Sequence, residues 1–400
     1  MQRTIAQGTG MPALFNDEVI IPGLIAQGVT PADARTYGII GCVEIGIPGK
    51  EQGVTAGGHI NAAKALELAL NEGRSLITGD LIGWPTPDPA TFRGFDDLWQ
   101  AYRDQIEYLG SLNVLATIVA GEAQKRRGHC PLMSSLLDDC LVKRRDLVFG
   151  GTRYNLPGVC IYGTTNVCDG MMAIRRLVCE EDALSWSDLR RALQTDFSGQ
   201  EPLRQMLSHG APRFGNDLPE ADELANRINA LHTAFCSKHV DSRSGRYAIG
   251  VWPVEAHVDC GRWTGATPEG RHQSTPLVDG VGACQGADRH GPTALLCSVA
   301  RLHTAADYPA GSTCNIKFSA STVQSIEGLA HLSDLTTTFM RLGGQQLQVN
   351  VVDAATLRAA QQQPEAYNDL IVRVAGFSAY FVQLARSVQE EIISRTEHNI

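Results

Sequence analysis

The sequence lacks the marks of membrane-spanning and secreted proteins. No segment approaches the ~18 consecutive apolar residues that a transmembrane helix needs. The N-terminal stretch MQRTIAQGTGMPALFNDEV has no basic region followed by an apolar core, as a signal peptide would. We therefore expect a cytoplasmic protein that does not associate with membranes.

A long block of lysine and arginine is also lacking. The formal net charge is −9 at pH 7, whereas nucleic acids and anionic membrane surfaces are bound by clustered cations. The charge therefore argues against nucleic acid as a partner and favours a small molecule as the ligand.

Cysteine is plentiful, but it lacks the spacings that bind zinc or form a redox pair. The eleven cysteines are an odd number, and no two of them form a CxxC motif. A disulfide framework, a zinc ribbon and a thioredoxin-like motif are all disfavoured. We expect reduced thiols, most of them buried as small apolar side chains.

What the chain does have is the pattern of an α/β protein. With 43% hydrophobic residues, 400 residues bury a substantial core and permit two or three domains or one large α/β barrel. Long amphipathic stretches such as residues 96–127 alternate with short apolar runs, which is typical of helices packed on buried strands. The short runs include DLVFGG, GVCIYG and YAIGVWPVEAHV. In the last of these we expect Trp252, Val254 and Ala256 to share one face of a strand, with Glu255 in a structural role.

Residues 37–60 do not fit a regular element. The stretch YGIIGCVEIGIPGKEQGVTAGGHI is too rich in glycine for a strand or helix, and its flanks are apolar enough to be buried. Such a pattern is typical of a functional loop held inside a protein. A helix is predicted directly after it over residues 61–73, with Asn61 as its N-cap and Gly73 at its end.

A second unusual segment is RVAGFSAYFV, residues 373–382. Gly376 interrupts an apolar run that a glycine weakens by roughly 0.5–1 kcal/mol relative to alanine. We expect Gly376 at a tip between this run and a final helix. That helix is predicted to contain Phe381, Leu384, Val388 and Ile392, with Arg395 and His398 near its end.

The two segments together resemble the signature loops of a known family. A Cys-x-Glu triplet alone is weak evidence, but GCVE (41–44) with PGK (48–50) and RVAGFSAYFVQLARSVQEEIISRTEH (373–398) strongly resemble the two loops of the glycyl radical enzymes. This family includes pyruvate formate-lyase, glycerol dehydratase and choline trimethylamine-lyase. The stretches GTGMPALFNDEVI (8–20), TGATPEGR (264–271) and NVVDAATLRAAQ (350–361) match the family further, so the resemblance covers essentially the whole chain.

The resemblance implies a fold and a domain division. We expect an α/β fold, the C-terminal part of a ten-stranded α/β barrel in which a cysteine loop and a glycyl radical loop lie at the centre and helices surround them. Residues 1–270 would form the C-terminal part of the barrel domain with the cysteine loop, and residues 271–400 the glycine radical domain.

The resemblance also implies roles for three residues. Gly376 would store a backbone radical, because an α-carbon radical prefers planarity and a Cβ would crowd it. Cys42 would become a thiyl radical, and since reacting atoms must lie within about 3–3.5 Å, the two loops must meet in one cavity. Glu44 resembles the carboxylate that removes a hydroxyl proton in the eliminating members of the family.

The neighbours of these residues are expected to protect them. As a base, Glu44 needs burial among apolar residues, which Val43, Ile45 and Ile47 would supply. The aromatic residues Phe377, Tyr380 and Phe381 would exclude water and oxidants from the tip at Gly376.

Cofactors and partners follow from the same resemblance. No cofactor or metal would be bound permanently, because the radical is derived from the protein and installed by an activating enzyme that uses S-adenosylmethionine and an iron–sulfur cluster. The substrate would be a small molecule, and the full-length family suggests a homodimer.

The chain departs from known members at specific positions. A single Cys42 follows Ile40 and Gly41, where the formate-lyase branch has two adjacent cysteines, and this disfavours a formate acetyltransferase. Ala56 occupies the place of a substrate-contacting aspartate in the glycerol, propanediol and choline branch, which puts elimination of diols or choline in doubt. The sequence pattern GKE…TAGG is more similar to that of the hydroxyproline dehydratase branch.

Length is the largest departure. The resemblance begins in the middle of the longer family members, so the first half of the barrel has no counterpart in this chain. A half-barrel exposes strand edges and part of its core. We therefore expect a fragment, or a chain that needs a separately encoded N-terminal half.

The predicted function is a glycyl radical lyase. The interpretation we favour is a dehydratase-like eliminase that removes hydrogen from a small polar substrate and releases water or another leaving group. The enzymatic alternatives are a formate acetyltransferase-like or decarboxylating carbon–carbon lyase. A non-catalytic subunit that replaces a damaged glycyl loop, or an inactive fragment, is the alternative from another class, although such a subunit needs no Cys42.

Overall fold

A computed structural model describes residues 1–53 and 55–399. Strands and helices alternate along most of this length, which is the arrangement of an α/β protein. The strands are β1 (Leu14–Phe15), β2 (Gly38–Ile39), β3 (Ile45–Gly46), β4 (Gly58–Asn61), β5 (Gly158–Tyr162), β6 (Ala248–Gly250), β7 (Asn315–Phe318), β8 (Gln346–Val351), β9 (Ile371–Arg373), β10 (Ser378–Tyr380) and β11 (Glu397–His398).

The helices differ widely in length. The longest, over residues 95–127, has 33 residues, and among the described residues no helix is both long and apolar enough to cross a membrane. They are α1 (Gln2–Ile5), α2 (Asp17–Ala26), α3 (Pro31–Ala34), α4 (Ala62–Ala69), α5 (Phe95–Arg127), α6 (Pro131–Ser135), α7 (Cys140–Lys143), α8 (Thr164–Ile174), α9 (Trp186–Gln194), α10 (Glu201–His209), α11 (Pro219–Cys236), α12 (Ala256–Arg262), α13 (Gly291–Ala300), α14 (Thr304–Asp307), α15 (Ala320–Val323), α16 (Ile326–Arg341), α17 (Ala354–Gln362) and α18 (Arg386–Ser394).

The core of the fold is a wall of parallel strands in the order β4, β5, β6, β7, β8. A single parallel bridge between Val251 and Ser312 joins the end of β6 to the segment that leads into β7. β1 adds an antiparallel strand to β8, and β11 pairs in parallel with the end of β7. The registers place His59 opposite Cys160, Val159 opposite Ile249, and Asn315 opposite Gln348.

The two faces of this wall differ in polarity. Because side chains alternate along a strand, one face carries Ile60, Val159, Ile249 and Val349, which belong to the main hydrophobic core together with residues of α4, α5, α8 and α11. The opposite face, here called the inner face, carries polar side chains. These include His59, Cys160, Tyr162, Lys317, Gln346, Gln348 and Asn350.

The helix predicted after the glycine-rich segment is present but shorter than expected. Asn61 caps it as predicted, since its side chain accepts a 2.9 Å hydrogen bond from the Lys64 amide. The helix ends at Ala69, and Gly73, with φ +78°, closes the following turn by donating to the Leu68 carbonyl at 2.8 Å.

Two predicted strands are wrong in part. DLVFGG forms a 3₁₀ turn over residues 147–149, because the Asp146 side chain accepts from the Val148 amide and Gly150 takes a left-handed φ of +79°. The strand in YAIGVWPVEAHV stops at Gly250. Val254 has φ +55° and Ala256 begins α12.

Trp252, Val254 and Ala256 therefore do not lie on one strand face. The Pro253 carbonyl accepts from the Ala256 amide at 2.7 Å, which turns the chain directly into the helix. All three side chains nevertheless pack against one apolar cluster that includes Val43 and Tyr162. A loop and the first residue of α12 thus bring the three side chains together where one strand face was expected.

The C-terminal segment also differs from the expected tip and helix. Gly376 lies in the turn of a hairpin formed by β9 and β10, and a 3₁₀ turn over 381–383 precedes α18. Val388 and Ile392 lie on α18 as predicted. Phe381 and Leu384 precede it, and Arg395 and His398 follow it.

All eleven cysteines, each within the described residues, are free thiols. Six of them are buried: Cys140, Cys160, Cys168, Cys236, Cys284 and Cys314. This matches the expectation of reduced thiols in apolar surroundings.

Candidate active site

Cys42 lies in the turn of a short hairpin formed by β2 and β3. Ile39 pairs with Ile45, and the Ile40 amide donates to the Glu44 carbonyl at 2.9 Å. Ile45 and Ile47 are buried in a cluster with side chains of α2 and α3. Apolar packing thus holds the hairpin that carries the thiol.

Gly376 lies in the turn of the β9–β10 hairpin. Arg373 pairs with Ser378, and the Val374 amide closes the turn by donating to the Phe377 carbonyl at 2.9 Å. Gly376 has φ +96°, a conformation that glycine adopts without strain and residues with a Cβ disfavour.

The two turns are in contact. An ideal Cβ placed on Gly376 would lie 2.2 Å from the Cβ of Cys42, 3.0 Å from its Cα and 3.1 Å from its Sγ. One α-hydrogen of Gly376 therefore points at Cys42, and no side chain fits there. The predicted meeting of the two loops is found in the structure, while the radical roles of Cys42, Gly376 and Glu44 stay predictions.

Two inner-face residues of β8 hold the glycine hairpin. The Gly376 amide donates to the side-chain oxygen of Gln348 at 2.9 Å, and Arg373 Nε donates to the same oxygen. Asn350 accepts from the Arg373 amide at 2.7 Å and donates to the Arg373 carbonyl at 2.8 Å. Sequence analysis missed these residues, although the alternation in QLQVNV was a signal of polar side chains on one buried face.

A buried ionic network lies behind this hairpin. Arg395 donates to the Arg373 carbonyl at 3.3 Å and pairs with Glu391 at 2.7 Å and with Asp279 at 3.1 Å. His257 lies 3.4 Å from Glu391. Although burial alone would raise it, the pKa of Glu391 is lowered by the charges of Arg395 and His257. The glycine hairpin is therefore anchored to α18 through buried charges.

The surroundings of Cys42 favour the protonated thiol. The residue is half-buried, and burial raises the pKa of its thiol, an effect increased by the charge of Glu44 and opposed by that of Arg373. A thiol with a raised pKa keeps its S–H bond at neutral pH. Cys42 can therefore give up a hydrogen atom.

Glu44 is placed on the same turn but in a more open setting than expected. Its carboxylate accepts from the Val43 amide at 2.9 Å and lies against Gly41, where a Cβ would be 2.2 Å from Oε1. Val43, Ile45 and Ile47 are buried in the two apolar clusters, whereas Glu44 is half-buried. The role of these apolar neighbours in the chemistry of Glu44 stays a prediction.

The predicted aromatic shield is only partly in place. Phe381 is fully buried and Phe377 half-buried, while Tyr380 is 45% exposed. Tyr380 is therefore the least enclosed of the three aromatic residues.

The inner face beside the cysteine loop carries a pair of aromatic side chains that sequence analysis missed. His59 Nδ1 and the Tyr162 hydroxyl are linked by a 2.6 Å hydrogen bond, and their rings stack at 5.8 Å. Burial lowers the pKa of His59, so a neutral imidazole is favoured. Cys160 lies on the same face, and after burial the charge of Glu44 is among the causes that raise its pKa. Of these three residues, Cys160 is therefore the one on which the charge of Glu44 acts.

Metal binding has no obvious site in the part of the chain that the structure describes. No group of three or more His, Cys, Asp or Glu residues there could hold a metal ion. Ala56, which stands where one branch of the family has aspartate, is exposed, and its neighbour Val54 lies outside the described residues.

Two family models match the chain. Residues 1–261 match the pyruvate formate lyase-like family, and residues 277–382 match the glycine radical family. The predicted domain boundary at residue 270 stays a prediction.

Known proteins of these families are similar over nearly the whole chain. The trans-4-hydroxy-L-proline dehydratase of Clostridioides difficile is 36% identical over 98% of this chain and 49% of that protein. The isethionate sulfite-lyase of Nitratidesulfovibrio vulgaris is 35% identical over 99% of this chain and 48% of its own. The chain thus spans about half the length of the curated relatives it matches.

Solved structures agree with this similarity. The glycerol-bound B12-independent glycerol dehydratase from Clostridium butyricum superposes with a TM-score of 0.96 at 38% identity, over 100% of this chain and 50% of that one. This match confirms the predicted fold class, the C-terminal part of such an α/β barrel.

Proposed function

The chain belongs to the glycyl radical enzymes, and we propose that it is the radical-bearing part of a dehydratase-like eliminase. The enzyme would remove hydrogen from a small polar substrate and release water or another leaving group. One observation carries this proposal: the α-carbon of Gly376 and the side chain of Cys42 are in direct contact. Two turns that are 334 residues apart in sequence (376 − 42) meet at this point.

The first step would be a hydrogen-atom transfer between these two residues. The Gly376 radical takes the hydrogen of the Cys42 S–H bond, so a C–H bond forms and the unpaired electron moves to sulfur. The half-buried, protonated thiol supports this role, because a thiolate has no hydrogen atom to give. The thiyl radical then takes one hydrogen atom from a substrate carbon.

Glu44 would act in the elimination. Its carboxylate accepts the proton of the hydroxyl group on the substrate radical, and the bond from the neighbouring carbon to the leaving group breaks, with its electron pair going to the leaving group. The proton then passes from Glu44 to the departing group or to solvent, so the carboxylate is ionised again. Cys42 then returns its hydrogen to the product radical, and the unpaired electron returns to Gly376. The reaction is redox-neutral overall and consumes no co-reactant.

The radical must first be installed. An activating enzyme that uses S-adenosylmethionine and an iron–sulfur cluster would take one hydrogen atom from Gly376. The position of Gly376 supports this role for an external enzyme, since the residue lies in a hairpin turn and is only half-buried.

A partner polypeptide would complete the barrel. The relatives are about twice as long as this chain, and the wall of parallel strands ends at β4 without a further neighbour among the described residues. We assign the missing part to an N-terminal half, and the whole enzyme to a cytoplasmic homodimer. Residues 1–270 would then belong to the barrel domain and residues 271–400 to the glycine radical domain.

The substrate class follows from the site and the relatives. The relatives include dehydratases and a sulfite-lyase, so a hydroxyl-bearing substrate with a leaving group on the adjacent carbon fits the chain. Formate acetyltransferase activity is disfavoured because Ile40 and Gly41 precede the single Cys42.

The test is an activation experiment with product analysis. The chain is co-expressed with its N-terminal half, activated without oxygen, and supplied with substrates that carry a hydroxyl group next to a leaving group, including isethionate. Release of the leaving group that depends on Cys42 is expected. A radical that forms without any C–O or C–S cleavage, or cleavage that continues in Cys42→Ala, would contradict the proposal.

A further inference from the structure

Gln348 lies directly beneath Gly376 and makes an unusual set of contacts. Its side chain is fully buried, at 0% exposure, on the inner face of β8. One oxygen accepts both the Gly376 amide at 2.9 Å and Arg373 Nε. Because both partners are donors, the atom that faces them must be the oxygen. The orientation of the amide group is therefore determined.

The contact matters because a glycine has no side chain to pack. The direction of its α-hydrogens is set only by the backbone, that is, by the φ of +96° and by the orientation of the 375–376 peptide. The hydrogen bond to Gln348 fixes that peptide through its N–H group. Turning the peptide would turn the α-hydrogen away from Cys42.

The same oxygen also holds a cation whose charge acts on the thiol. Arg373 opposes the rise of the pKa of the Cys42 thiol. Gln348 therefore joins the Gly376 amide and the Arg373 guanidinium at one oxygen atom.

The buried amide of Gln348 satisfies two donors at the expense of its own nitrogen. That side-chain nitrogen has no hydrogen-bond partner among the described residues, and a buried unpaired polar group is unfavourable. Methionine, an apolar residue of similar shape, would avoid that penalty but would leave the Gly376 amide and Arg373 Nε without their acceptor. The glycine hairpin therefore depends on an oxygen acceptor at this position.

We propose that Gln348 is a positioning residue that aligns the α-carbon of Gly376 with the thiol of Cys42. It does not touch the reacting atoms; it acts through the Gly376 peptide. This inference rests on the proposed function, since it concerns the transfer of a hydrogen atom between those two residues.

Gln346 provides a matched control. It lies two residues earlier on the same face of β8, is 2% exposed, and its oxygen accepts from the Cys314 amide at 3.0 Å. Its side-chain nitrogen also lacks a partner among the residues described. It makes no hydrogen bond to the glycine hairpin, so its replacement removes a similar structural contact without touching Gly376.

The experiment compares Gln348→Met, Gln348→Glu and Gln346→Met in the chain completed by its N-terminal half. Radical spins are counted by electron paramagnetic resonance, and kcat is expressed per spin. Gln348→Met should lower kcat per spin about 100-fold, the effect of a misplaced reacting atom, with KM unchanged. Gln348→Glu keeps an acceptor for both donors and should recover most of that loss, and Gln346→Met should retain the wild-type value.

Separate results would overturn the inference and the proposed function. Wild-type kcat per spin in Gln348→Met, or equal losses in Gln348→Glu and Gln348→Met, would overturn the role of Gln348 while the wild-type enzyme still turns over. A wild-type enzyme without any radical signal would overturn the proposed function instead.

A measurement on the unactivated wild-type protein covers the case in which Gln348→Met does not fold. Hydrogen exchange of the Gly376 amide should be far slower than that of an open turn, because Gln348 accepts this hydrogen. Exchange at the rate of an unprotected glycine would show that the contact is absent and would overturn the inference.

Discussion

The cysteine turn and the glycine turn meet at one point, but they are held there by different forces. The hairpin of Cys42 is fixed by apolar side chains, with Ile45 and Ile47 packed into one cluster and Val43 into another. The hairpin of Gly376 is fixed by directional hydrogen bonds: Gln348 accepts from the Gly376 amide, and Asn350 accepts from and donates to the backbone of Arg373. Buried charges around Arg395 support it from behind.

The difference follows from what each residue offers to its surroundings. Cysteine has a side chain, so packing the residues on either side of it is enough to place the sulfur. Glycine has none, so its α-carbon can be oriented only through its own N–H and C=O groups and those of its neighbours. Hydrophobic contact is non-directional, whereas a hydrogen bond prescribes an angle. The glycine side of the site should therefore be sensitive to polar substitutions, and the cysteine side to changes of volume.

The largest loss of activity is expected from substitutions of the two residues in contact, Gly376 and Cys42. Gly376→Ala and Cys42→Ala should each abolish turnover, because the first removes the radical site and the second the hydrogen carrier. Gly376→Ala also places a Cβ within 2.2 Å of Cys42 at φ +96°. Activity assays of the activated enzyme measure the loss.

Gly286→Ala is the control for the glycine substitution. Gly286 has a positive φ of +74° but nothing within 4 Å of its ideal Cβ position. The Gly286→Ala enzyme should keep its activity. A loss of turnover equal to that of Gly376→Ala would mean that backbone strain alone explains the effect at Gly376.

A smaller loss is expected from Glu44→Gln. Removing a general base typically costs 10²–10⁴-fold in rate, and the radical at Gly376 should still form, because the Glu44 carboxylate accepts from the Val43 amide whereas the Gly376 amide donates to Gln348. Turnover and spin count are measured on the same sample. Loss of the radical together with the activity would contradict the assignment of Glu44 to the elimination step.

The buried charges behind the glycine hairpin should dominate its stability. Arg395→Met leaves Glu391 and Asp279 without their cation, and breaking a buried pair typically costs about 3–5 kcal/mol in the free energy of unfolding. The matched control is Arg386→Met. Arg386 pairs with Glu390 at 2.8 Å on the surface of α18, the helix that also carries Glu391. An exposed pair at this spacing is worth about 0.3–0.5 kcal/mol. Equal losses in denaturant titrations of the two variants would contradict the account.

The smallest effect is predicted for a substitution in the apolar cluster behind the Cys42 hairpin, and it concerns the free energy of unfolding. Ile47→Val removes one methylene from the cluster behind the Cys42 hairpin and should cost about 0.5–1.5 kcal/mol, with little change in radical yield. Ile40→Val is the control, because Ile40 is 48% exposed and should change the stability by less than about 0.5 kcal/mol. Denaturant titration distinguishes the two.

Sequence reasoning could find the residues that the chemistry itself requires. Cys42 and Gly376 are recognisable because the stretches GCVE and RVAGFSAYFV together resemble the two signature loops of the glycyl radical enzymes; either residue alone would be weak evidence. The N-cap at Asn61 was also predictable, since the capping bond to the Lys64 amide is local.

Contacts that depend on tertiary pairing could not be read in the same way. Gln348 meets Gly376 only because β8 and the β9–β10 hairpin lie together, and a single polar residue in a buried strand does not reveal its partner. Local polar contacts also overrode apolar patterns. Asp146 caps a turn within DLVFGG, and Pro253 turns the chain into α12 where a strand was expected.

The most direct test of the central claim is electron paramagnetic resonance of the completed, activated enzyme made with glycine carrying ¹³C at the α-carbon. The account predicts a carbon-centred radical signal that gains a ¹³C hyperfine splitting and is absent from Gly376→Ala. A signal without that splitting, or one that persists in Gly376→Ala, would place the unpaired electron elsewhere and contradict the account.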